Sequence, residues 1–78
     1  MAHIPMDDTD VLWKETMQKN WGAFQETLKK HKGKTNGISD TLIDMMMQVS
    51  QKMDSSGAPF PQSAQELNQV LNENLPQS

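Results

Sequence analysis

The sequence predicts an all-α fold: an antiparallel helical hairpin and a shorter third helix, together a small three-helix bundle behind a flexible N-terminal arm. Three observations carry this prediction. Trp13, Met17, Trp21, Phe24 and Leu28 are spaced 4, 4, 3 and 4 apart, which places them on one stripe of a helix. Two further stripes follow, Leu42, Met46, Val49 and Met53, then Leu67, Val70, Leu71 and Leu75. Between the stripes lie cap residues and Gly- or Pro-rich breaks, so start and stop signals agree with the periodicity.

Residues 1–8 read as an arm, because Pro5 discourages a helix and little around it asks to be buried. His3 reads there as an exposed terminal histidine. Asp7-Asp8-Thr9-Asp10 is a helix start, with Thr9 or Asp10 as N-cap and the carboxylates facing the positive end of the helix dipole. The first helix is expected over about 10–32. Glu15 stands four before Lys19, and Glu26 four before Lys30, the favourable order for ion pairs along a helix. Lys29, Lys30, His31 and Lys32 suit the negative end, and Gly33 is a natural residue to follow it. Gly22 dissents: a glycine inside a helix costs about 1 kcal/mol against alanine, so it marks a bend or a close approach.

Lys34-Thr35-Asn36-Gly37 is turn chemistry and returns the chain antiparallel. Gly33-Lys34-Thr35 resembles the end of a phosphate loop in its letters only, since neither the upstream glycine nor a preceding strand accompanies it. Ser39 caps a second helix over about 39–53, with Ile43 and Met45 widening its stripe and Met47 partly exposed. The break at 54–61 holds Gly57, Pro59 and Pro61, and Phe60 between the prolines is expected to tuck against the helices. Ser63 and Glu66 form a capping box for the third helix, over about 63–74, which Pro76 ends. The expected organisation is an arm at 1–8, one helical domain at 9–75 and a tail at 76–78. Its core is expected from Trp13, Met17, Trp21, Phe24, Leu28, Leu42, Ile43, Met46, Val49, Met53, Leu67, Val70 and Leu71.

Composition narrows function more than it names it. The chain has 78 residues, a formal charge of -3 and a hydrophobic content of 35%, so any core is small and a partner is expected to complete its burial. There is no cysteine, hence no disulfide and no thiolate metal site. No run approaches the roughly 20 apolar residues of a membrane span. The N-terminus shows no signal pattern, so a cytoplasmic location is expected, with signal-less export as the alternative. All seven basic residues are lysine, and a dedicated nucleic-acid or phosphate reader usually uses the planar fork of arginine.

No catalytic constellation emerges. The two histidines lack a metal-spaced partner, the serines sit at caps and in a loop, and Glu15 and Glu26 each have a lysine neighbour. The expectation is a non-enzyme with no cofactor and no metal. Helical hairpins with such stripes occur in unrelated settings, so the pattern names no family.

The functional expectation is a small helical interaction module, an adaptor, docking domain, chaperone or regulator, showing a Met- and Trp-rich apolar face to a partner helix. Trp21, Met45, Met47 and Phe60 are the expected contacts, because aromatic anchors dominate interfaces and methionine adapts to a partner's shape. A homodimer is a further expectation. Two alternatives belong to other classes. One is an amphipathic coat at a lipid or polymer interface. The other is weak nucleic-acid or anion binding through Lys29, Lys30, Lys32 and Lys34, which dipole complementarity at a helix end explains without a ligand.

Overall fold

The computed structural model describes residues 3–34 and 37–75, and among them the chain is all-helical. Four helices form: α1 Met6–Glu15, α2 Trp21–His31, α3 Asp40–Ser55 and α4 Ala64–Glu73. The expected three-helix count is therefore corrected, because the long first helix is two helices joined by residues 16–20. The turn residues Thr35 and Asn36 and the helix stop at Pro76 lie outside the described residues.

The break has a local cause on each side. The Thr16 hydroxyl donates to the Leu12 carbonyl at 2.7 Å, and the Thr16 amide closes α1 on Leu12 and Trp13. Lys19 reaches back to the Trp13 carbonyl, so another orphan acceptor at the helix end is satisfied. Asn20, with extended backbone, then starts α2: its side chain accepts from the Ala23 amide at 2.7 Å. Gly22 sits in the first turn of α2, where a Cβ would stand 3.4 Å from the Asn20 side-chain oxygen. The dissenting glycine thus marks the start of a new helix.

The arm is also corrected. Pro5 occupies the N-cap position of α1 with φ -63, and its carbonyl accepts the Thr9 amide at 3.2 Å. Asp7 and Asp8 lie in the first turn and complement the dipole, whereas Thr9 is buried inside the helix rather than capping it. Ile4 is fully buried. Asn72 of α4 accepts from the Ile4 amide at 2.8 Å and donates to its carbonyl at 3.1 Å. Asn68, one turn earlier, donates to the same carbonyl and to the Thr9 hydroxyl, both at 2.9 Å. Two asparagines thus substitute for the helical partners that a residue ahead of α1 lacks.

The other helices start as their sequence signals say. The Ser39 hydroxyl accepts from the Leu42 amide at 3.2 Å, and the Ser63 hydroxyl from the Glu66 amide at 3.1 Å. Glu66 reaches back to the amide of Gln62 at 3.0 Å, one residue earlier than a capping box requires. Gly33 (φ 86) and Gly57 (φ 73) follow α2 and α3 in the left-handed conformation that spares glycine a steric penalty.

Packing pairs α2 with α3 and α1 with α4. The core joins both pairs: Leu12 from α1, Trp21, Phe24 and Leu28 from α2, Ile43, Met46 and Val49 from α3, and Leu67 and Leu71 from α4. Each such side chain contributes about 1.5–3 kcal/mol by leaving water. Ile4, Leu12 and Ile38 join this core beyond expectation, and Met17 leaves it at 86% exposed. Trp13, Leu42, Met53 and Val70 are half-buried at its edge. The radius of gyration, 11.3 Å, matches the roughly 11.5 Å of a compact chain of this length.

Candidate functional site

Four aromatic side chains meet where the two helix pairs join. Phe60, carried by the Pro59–Pro61 segment, stacks nearly parallel on Trp13, with centroids 5.6 Å apart and an interplanar angle of 9°. It meets Trp21 edge-to-face at 4.8 Å and Phe24 at 6.1 Å. Such pairs each add about 0.5–1.5 kcal/mol beyond burial. The Trp21 indole N–H donates to the Ala58 carbonyl at 3.1 Å, which ties the loop to α2. Lys19 stands 4.0 Å from the Trp13 ring centroid, in reach of a cation–π contact.

Flanking this cluster, an open groove of about 600 Å³ runs between the proline segment and α4. Phe60, Pro61 and Val70 are its less exposed lining, and Glu66 and Glu73 are exposed beside them. Glu66, Gln69, Val70 and Glu73 recur at 3, 1 and 3, so they share one face of α4, the face turned away from Asn68 and Asn72, with Gln62 just ahead of the helix. Pro59 and Pro61 hold their side of the groove stiff, since proline fixes φ and restricts the residue before it.

Of the residues expected to contact a partner, Trp21 and Phe60 meet in the aromatic cluster, but the four do not share one surface. Phe60 alone lines the groove. Trp21 is 4% exposed: it takes the core place expected of it and leaves little surface for a partner. Met45 and Met47 are half-buried on α3, and Met47 packs on the core, where methionine fills a gap. Among the described residues, the large hydrophobic side chains that are exposed are Met6, Val11 and Met17. They do not make the Met- and Trp-rich face that the sequence suggests, because the two tryptophans turn inward to Phe60.

The lysine run is partly neutralised by its neighbours. Lys32 pairs with Asp44 at 2.7 Å, and Lys29 with Glu26 at 3.0 Å, while Lys30 and Lys34 are exposed. The Asp44 hydrogen bond, then its charge, hold the Lys32 ammonium above the ordinary lysine range. Asp40 accepts from the Gly33 amide at 2.9 Å, adding a second carboxylate beside the run. Glu15 does not pair with Lys19 as its spacing suggests. Because the helix breaks between them, Glu15 accepts instead from His31 Nε2, with its two oxygens at 2.9 and 3.0 Å. Glu26 likewise takes Lys29 rather than Lys30.

Among the described residues, no group of three or more His, Asp or Glu side chains is placed to hold a metal ion. No helix among them is long and apolar enough to cross a membrane. Buried side-chain polar atoms there all have hydrogen-bond partners, so no orphaned group points into a hidden site. No protein-family model, no curated protein and no solved structure matches the chain.

Sequence reasoning missed the groove because it ranked residues by hydrophobicity. The available signal was the pairing of Glu66 with Glu73 seven residues on, with Val70 between them and Phe60 between two prolines.

Proposed function

We propose that the chain is a small, non-enzymatic helical interaction module that receives the apolar stripe of a partner protein's helix in the groove between Pro59–Pro61 and α4. The observation that carries this reading is the groove itself: half-buried Phe60 and Val70 beside a proline-stiffened wall, backed by the aromatic cluster. A helix laid along α4 gains apolar contact there without ordering a floppy surface, which limits the entropy lost on binding. The reading keeps Phe60 as a contact and moves the remaining contacts, Trp21 on α2 and Met45 and Met47 on α3, to α4.

Site-specific photo-crosslinking tests it in the native host. A photo-reactive residue at Gln69, in the groove, is expected to trap a discrete protein partner. The same residue at Gln48, on the exposed side of α3, is not. The Gln69 adduct is expected to disappear when Val70→Gln is added. Equal adducts at both positions, or an adduct indifferent to Val70→Gln, would overturn the proposal.

A further inference from the structure

The groove lining holds two carboxylates, Glu66 and Glu73, and no ammonium group. Both belong to exposed residues. Their local hydrogen bonds engage one oxygen each: Glu66 Oε2 accepts from the Gln62 amide at 3.0 Å, and Glu73 Oε1 from the Gln69 side chain at 2.9 Å. Neither carboxylate has an ion-pair partner among the described residues. Of the other eight carboxylates, Asp10, Glu26 and Asp44 each pair with a lysine and Glu15 meets His31. Two helical turns separate Glu66 from Glu73, roughly 10 Å along the axis. Val70 lies between them on the same face.

Resting on the groove reading above, we propose that the partner helix is basic and amphipathic. Its apolar side chains cover Phe60 and Val70. A lysine or arginine two turns from another meets Glu66 and Glu73 at the two ends of the contact. An acidic or neutral helix with the same apolar stripe gains the burial without the two ion pairs, and an acidic one adds repulsion. Charge complementarity of this kind selects partners and speeds encounter more than it deepens affinity.

A second copy of this chain does not supply such a helix. Lys29 and Lys30 of α2 stand beside exposed Gly22 and Glu26, with no apolar stripe between cations. Lys14 of α1 is bound to Asp10 at 2.9 Å, and Asp7 and Asp8 add further negative charge to that helix.

The test uses the intact chain and two synthetic helical peptides that share one leucine stripe. One carries lysine at two flanking positions seven residues apart, the other glutamate. Calorimetry gives affinities at low and high salt, and amide chemical shifts of Gln69 and Val70 report where each peptide sits. The lysine peptide is expected to bind about 10-fold more tightly than the glutamate peptide at low salt, with the preference shrinking at high salt. Glu66→Gln and Glu73→Gln are each expected to weaken the lysine peptide about 2- to 5-fold, the range of exposed ion pairs. Glutamine at 66 keeps an oxygen for the Gln62 amide, so the helix start survives. Equal affinities for the two peptides, with shifts at Gln69 and Val70, would overturn the charge selection and leave the groove reading standing. No binding by either peptide would overturn both.

Discussion

Ile4→Ala discriminates sharply between an N-terminal arm and an N-terminal anchor. In an arm the side chain touches little, and truncation changes stability by less than about 0.5 kcal/mol. In the structure Ile4 is fully buried against the core, and truncation leaves a cavity beneath α1 and α4. Loss of a buried isoleucine to alanine costs about 2–5 kcal/mol, the transfer cost plus the unfilled space. A chain of 78 residues has about 4–12 kcal/mol in total, so this change removes a large share. Urea unfolding, followed by circular dichroism and by tryptophan fluorescence, gives the number. With a slope of about 1–1.5 kcal/mol/M, the midpoint should fall by about 1.3 M or more. The companion change Asn72→Ala removes both side-chain contacts to the Ile4 backbone and leaves its buried amide without that acceptor, at about 1–3 kcal/mol. The two changes loosen one segment, so the double variant should lose less than their sum. An Ile4→Ala midpoint within error of the parent, or strict additivity with Asn72→Ala, would refute the anchoring.

Further expectations concern the break and the turns. Asn20→Ala removes the cap on α2 and should cost about 1 kcal/mol in the same unfolding assay. Gly22→Ala should stabilise by about 0.5–1 kcal/mol, because its backbone is ordinary helix and the added methyl group finds room 3.4 Å from Asn20. Gly57→Ala should instead destabilise by about 1 kcal/mol, since φ there is 73 and alanine resists it. The Lys32–Asp44 pair binds the lysine proton more tightly in the folded chain than in the unfolded one. Its contribution is therefore whole below the ordinary lysine range and lost as pH rises through the raised value. Lys32→Met should flatten the fall in thermal stability above about pH 10, and an unchanged alkaline profile would count against the pair.

The sequence made the helices legible and hid where the first one ends. Stripes at 13–28, 42–53 and 67–75 are long enough to reveal period, and Ser39 and Ser63 announce their helices by side-chain chemistry. The stripe from Trp13 to Leu28 runs through the break at 16–20 because residues on both sides face the same core. Period alone therefore cannot see the interruption, and Met17 pays no penalty for matching the period while facing solvent. Asn20 and Gly22 held the missing information, as a cap and a helix-weakening residue two positions apart. Ile4 was hidden for another reason: its partners, Asn68 and Asn72, are more than sixty positions away, and local pattern carries no trace of them. Phe60 was legible as a residue returned to the helices by its prolines. The groove beside it was not, because a concave surface depends on how α4 and the loop are set relative to each other.

The clasp of Asn72 on Ile4 brings the start of α1 and the end of α4 side by side. A short glycine–serine bridge could therefore join them with little change in the helices. The chain could then be opened at the exposed turn near Lys34, giving the order α3, α4, α1, α2. The same proximity lets the four helices be spliced into a surface loop of a host protein, which they would leave close to where they entered.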